Sequence, residues 1–65
     1  MTPLLREFFG IMEGAGISAT DLAETTGISR STFYSWRASR VPTAENLDVA
    51  LRALGHKLKV VKINE

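Results

Sequence analysis

Between Ser29 and Arg40 the chain gathers Arg30, Arg37 and Arg40 with the hydroxyls of Ser29, Ser31, Tyr34 and Ser35, and no carboxylate interrupts the segment. Such a set donates hydrogen bonds and carries positive charge, so its natural counterpart is an anionic surface rich in acceptors. Arginine offers a planar fork that meets the O6 and N7 atoms of guanine in two parallel bonds, the commonest specific contact to a base edge. Ser31 and Ser35 suit either a base edge or a phosphate, and Tyr34 offers a hydroxyl for phosphate and a ring for a thymine methyl. Arg37 and Arg40, late in the segment, suit phosphate contacts that fix register. A second basic stretch, Lys57, Lys59 and Lys62, lies near the end of the chain. Its alternating lysines read more simply as a guard against edge-to-edge aggregation.

Catalytic chemistry finds no comparable support. No nucleophile stands beside a histidine and an orienting carboxylate at a recognisable spacing, and no glycine-rich phosphate loop is present. The chain has no cysteine and a single histidine, His56. Disulfides and thiolate metal sites are thereby excluded, and a structural zinc is not expected. His56 follows Gly55 and reads as part of a helix C-terminus rather than as a ligand. No enzyme activity, cofactor, metal or small-molecule ligand is expected.

The 65 residues carry a net charge of +1 and are 45% hydrophobic, which bounds the chain to one domain (1–65) with one small core. No apolar run approaches the roughly 20 residues of a membrane span, so a soluble, cytoplasmic protein is expected and no membrane partner. A core this small leaves a thin stability margin, and without disulfide or metal a partner chain is the remaining support.

The elements that would hold the basic segment follow from spacing. Thr2-Pro3 opens a helix over about 3–14, whose Leu5, Phe8, Phe9 and Met12 share a face and which Gly14 and Gly16 end. Ser18 and Asp21 have capping-box spacing before a short helix of about 18–26 that carries Leu22 and Ala23 inward and closes at Gly27. Ser29 caps a third helix to about 39, with Phe33 and Trp36 as core and Arg30, Ser31, Tyr34, Ser35 and Ala38 on the other side. Val41-Pro42 breaks the chain. Thr43 then caps a helix of about 43–54 with Leu47, Ala50, Leu51 and Leu54 apolar, stopped by Gly55. Over about 57–63 the period changes to two, as in a half-buried strand. A strand alone among helices must pair with water, with a short segment elsewhere, or with a second copy of itself. The expected fold is therefore all-α, four short helices with a C-terminal β-strand pairing between subunits. Leu58, Val60, Val61 and Ile63 would stand at that homodimer contact.

Two short helices joined by a glycine turn describe a helix-turn-helix. Ala23 allows close crossing, Gly27 makes the turn, Ile28 plugs it, and Phe33 with Trp36 support the second helix from below. Its outer face is then free to enter a major groove about 12 Å wide. From Ser18 to Gly55 the sequence also resembles the lambda repressor and Cro type of helix-turn-helix. The resemblance rests on Leu22-Ala23, Gly27-Ile28-Ser29, Ser31-Thr32-Phe33-Tyr34, Trp36, Val41-Pro42-Thr43, Glu45-Asn46-Leu47 and Ala53-Leu54-Gly55. It implies base-facing positions at Ser29, Arg30, Ser31, Tyr34 and Ser35, a phosphate-facing one at Thr20, and dimerisation of the kind some relatives achieve through a C-terminal strand. The sequence departs from the pattern at Ala19, where many members carry a glutamine that braces the recognition helix. It departs again between Trp36 and Pro42, where the usual glycine is missing and the loop looks one residue short.

The expected function is sequence-specific binding of double-stranded DNA by a transcriptional regulator, Cro- or repressor-like, reading a pseudo-palindromic operator. The alternative is a protein-interaction module, an antitoxin or adaptor on the same fold, which the low net charge favours because phosphate contacts drive most non-specific affinity.

Overall fold

Side-chain hydroxyls start every helix. In the computed structural model, which describes residues 1–63, the order is α1 (Pro3–Ala15), α2 (Ala19–Thr26), α3 (Arg30–Arg37) and α4 (Ala44–Ala53). Each is preceded by an extended serine or threonine (Thr2, Ser18, Ser29, Thr43) whose oxygen accepts from a backbone N–H in the first turn. These residues satisfy donors that a helix leaves orphaned at its start. At α2 the exchange is reciprocal: Asp21 N–H donates to Ser18 Oγ, and Ser18 N–H donates to Asp21 Oδ2, both at 3.2 Å.

The turn between α2 and α3 decides where the basic face points. Gly27 takes a φ of 77°, where a side chain would be strained, and its N–H caps the carbonyl of Ala23. Thr26 locks the same turn from the other side. Its Oγ1 donates to the Leu22 carbonyl at 2.7 Å and accepts from Ile28 N–H at 3.1 Å. Ile28 packs against the core as the plug of the turn.

The buried core comprises Leu5, Phe8, Phe9, Met12, Leu22, Phe33, Trp36, Leu47, Ala50 and Leu51. Phe8 is its centre: its ring meets Phe9 at 5.1 Å and Trp36 at 5.6 Å edge to face, and lies stacked 6.4 Å from Phe33. Phe33 and Trp36 meet each other edge to face at 5.0 Å. These geometries suit ring quadrupoles and bury the largest apolar surfaces of the chain. They bind α1 to the underside of α3.

Two expectations require correction. The third helix ends at Arg37, not near Ser39. Ser39 turns left-handed at φ 74°, its N–H donates to the Trp36 carbonyl and Arg40 N–H to the Ser35 carbonyl. This is the double closure usually made with glycine. The C-terminal strand, expected over about 57–63, does not form: no strand occurs among the described residues. An alternating pattern is local, whereas a strand needs a neighbouring ladder, and each helix already satisfies its own backbone. The tail instead docks on α4. Leu58 N–H donates to Asp48 Oδ1 at 2.8 Å, and the Leu58 side chain packs against the core.

No helix is long and apolar enough to cross a membrane among the described residues.

Candidate nucleic-acid interface

The side of α3 opposite Phe33 and Trp36 faces outward. Arg30, Ser31 and Tyr34 are exposed, and Ser35 is half-buried at the edge. Tyr34 keeps 54% of its surface in solvent, a large exposure for an aromatic residue. Arg30 makes no ion pair or side-chain hydrogen bond among the described residues, so its fork is available. The docked tail lies elsewhere, with Leu58 held by Asp48 and bordering hollows that Leu4, Leu5, Leu47 and Leu51 also line, and it leaves this face uncovered. A helix with its side chains measures about 10–12 Å across, matching a major groove about 12 Å wide.

The hydroxyls divide into free and committed. Ser29 Oγ accepts from Thr32 N–H at 3.3 Å and also meets Thr32 Oγ1 at 2.7 Å and Ser31 Oγ at 3.1 Å. One proton and two lone pairs are thereby used, which saturates the Ser29 hydroxyl as a helix cap. Ser31 Oγ retains capacity for an outside partner. Ser35 Oγ donates to the Ser31 carbonyl at 3.0 Å, so only its lone pairs face outward.

The flanking residues are spread around this face. Thr20 is exposed in the first turn of α2, and Arg40 is exposed in the loop beyond Ser39. Arg37, also exposed, holds its guanidinium carbon 4.3 Å from the centre of the Phe9 ring. A hollow of about 150 Å³ opens beside it, lined in part by Ile17, Ala19, Phe33, Tyr34 and Glu13. Of the residues expected at a subunit contact, Leu58 is taken up by its own core, while Val60, Val61 and Ile63 project into solvent at 98%, 71% and 75% exposure.

Sequence reasoning missed three residues, two that shape the site and one that seats the tail. Thr26 was undistinguished by type, since a threonine near a helix end has many uses. Phe9 looked like core alone, because its pairing with Arg37 joins positions distant in sequence. Asp48 carries no signal in the sequence, because its partner on the tail lies ten residues on: it takes Arg52 Nε at 2.8 Å as well as the Leu58 amide. The Arg52 hydrogen bond, then that of Leu58, holds its carboxyl below the ordinary value of 3.8.

Residues 10–59 match the family model for the Cro/C1-type HTH DNA-binding domain. No curated protein and no solved structure matches the chain. The matched stretch covers more than half of the chain and contains the glycine turn, the whole of α2, α3 and α4, and the start of the docked tail. With the outward basic face of α3 on that frame, the chain belongs to the Cro/C1-type helix-turn-helix family of DNA-binding domains.

Proposed function

We propose that this protein is a transcriptional regulator that reads a specific double-stranded operator by laying α3 in the major groove. The observation that carries the reading is the uncovered, carboxylate-free outer face of α3, on which Arg30 and Tyr34 have unengaged heads. Arg30 and Tyr34, with Ser31 and the lone pairs of Ser35, are assigned to base edges. Ser29 orders the first turn that presents them. Thr20 and Arg40 flank the face at positions suited to phosphates.

Dimerisation belongs to the same proposal. Val60, Val61 and Ile63 are apolar and exposed, and beside the tail lies an apolar groove formed by Leu4, Val41, Pro42 and Leu58. Covering these surfaces with a second copy removes apolar area from water, at roughly 25 cal/mol per Å². Two copies related by a two-fold axis would set their α3 helices about 34 Å apart and read a pseudo-palindrome.

Selection of bound duplexes from a random pool tests the reading, with Arg30→Ala and Arg40→Ala carried in parallel. The parent should select one palindromic family. Arg30→Ala should lose about 1–3 kcal/mol and relax one position in each half-site. Arg40→Ala should weaken all sequences alike and reduce the slope of log affinity against log salt by about one. A parent that enriches no sequence, or that fails to shift duplex DNA at low salt, would defeat the proposal and favour a protein partner for this face.

A further inference from the structure

Arg37 closes α3, and among the described residues no carboxylate lies within ion-pair distance of it. Glu13 lines the same hollow without pairing to it. Its partner is a ring instead: the guanidinium carbon stands 4.3 Å from the Phe9 centroid, and Phe9 remains 5% exposed within the core. A guanidinium is planar and weakly hydrated, so it stacks on an aromatic face where an ammonium does so less well. At about 100° per residue, Arg37 falls one turn beyond Tyr34, between it and the buried Phe33. Residues three apart on a helix are neighbours on its surface, and both Tyr34 and Arg37 border the hollow of about 150 Å³, to which the α2 side contributes only the small residues Ser18, its cap, and Ala19. With so little on the α2 side, the stack on Phe9 is the firm support next to Tyr34.

We propose that Arg37 is a positioning residue for sequence reading. Stacked on Phe9, it fixes the last turn of α3 against α1 and thereby sets where Tyr34 presents its phenol; it does not neutralise a phosphate. This rests on the assignment of α3 to the major groove.

Two substitutions separate the roles. Arg37→Met keeps the stem and removes the cation, and Arg37→Lys keeps the cation and removes the plane. The full chain and both variants are compared by selection from a random duplex pool and by the salt dependence of binding to the selected duplex. Both variants should leave the salt slope unchanged. Both should also relax, by at least about fivefold, the same base pair that Tyr34→Ala relaxes, the lower end of a single base-contact loss. In DNA-free thermal unfolding, the drop in midpoint caused by Arg37→Met should shrink when Phe9 is replaced by leucine. Should Phe9→Leu not fold, lysine behaving like methionine in the selection supports the stack, and lysine behaving like the parent overturns it. A slope reduced by about one in Arg37→Met and restored in Arg37→Lys would identify a phosphate contact and overturn the proposal. Unchanged slope with unchanged base preference would leave only packing and overturn it equally. A parent that selects no sequence defeats the groove assignment itself, whereas an operator shared in full by parent and variants defeats the role of Arg37 alone.

Discussion

Ser39 holds a φ of 74°, the one positive value among non-glycine residues described. A side chain in the left-handed region costs roughly 1–2 kcal/mol because its Cβ crowds the neighbouring carbonyl. Glycine removes that crowding but adds freedom to the unfolded chain, a cost of about 0.5–1 kcal/mol. Ser39→Gly should therefore stabilise the fold by up to about 1 kcal/mol and raise the unfolding midpoint by several degrees, since 1 kcal/mol corresponds to about 4–8 °C in a domain of this size. Ser39→Val should lower it, because a branched side chain fits this region worst. A midpoint for Ser39→Gly at or below the parent's would refute the argument. The same residue explains the loop between Trp36 and Pro42: its missing glycine is met by a serine forced into a glycine-like turn, and the carbonyls of Ser35 and Trp36 still find donors. Arg40, one residue on, takes its place from that turn.

The tail and α4 form a pair held by one carboxylate. Asp48 takes Arg52 from its own helix and the Leu58 amide from the tail, each at 2.8 Å. Both partners favour the charged carboxylate, which is why its folded-state value lies below 3.8. For such a group the stabilisation is complete above the ordinary value of 3.8 and is lost as pH falls through the lower folded value. Hydrogen exchange at the Leu58 amide should accordingly show protection at neutral pH that disappears in strong acid. Asp48→Ala should remove that protection at every pH and speed tryptic cleavage after the already exposed Lys57 and Lys59, while α1, α2 and α3 keep their protection. Equal exchange at Leu58 in parent and variant would show that core packing of its side chain alone seats the tail. The latch also bears on the proposed dimer, because it sets where the chain leaves the body and hence where Val60, Val61 and Ile63 are offered.

A chain of 65 residues has a stability of only about 3–10 kcal/mol, so burial of further apolar surface by a second copy would matter to the whole molecule. The described residues have a radius of gyration of 11.9 Å, slightly above the roughly 11 Å of a fully compact domain of this length, as a projecting tail requires. Removing residues 60–65 keeps the Leu58 anchor and deletes the exposed apolar end. That truncation should sediment as a monomer, bind its operator more weakly, and lose the rise of unfolding midpoint with protein concentration expected of a dimer. If the truncated chain sediments and binds like the parent, the tail is not the dimer contact.

The four helix starts, the face of each helix that turns inward and the glycine turn at Gly27 were legible in the sequence because each is settled within one or two turns of chain. Thr2, Ser18, Ser29 and Thr43 cap their own helices, and apolar spacing within α1 and α3 determines which side is buried. The outward basic face of α3 follows from the same periodicity. Tertiary structure alone decided the rest. It brought Phe9 under Arg37 and drew Leu58 onto Asp48, since each pairing joins groups that only folding makes neighbours. The alternating pattern of the tail misled for that reason: alternation sorts side chains to two faces, but backbone partners determine whether a strand exists, and here a carboxylate on α4 took the place of a ladder.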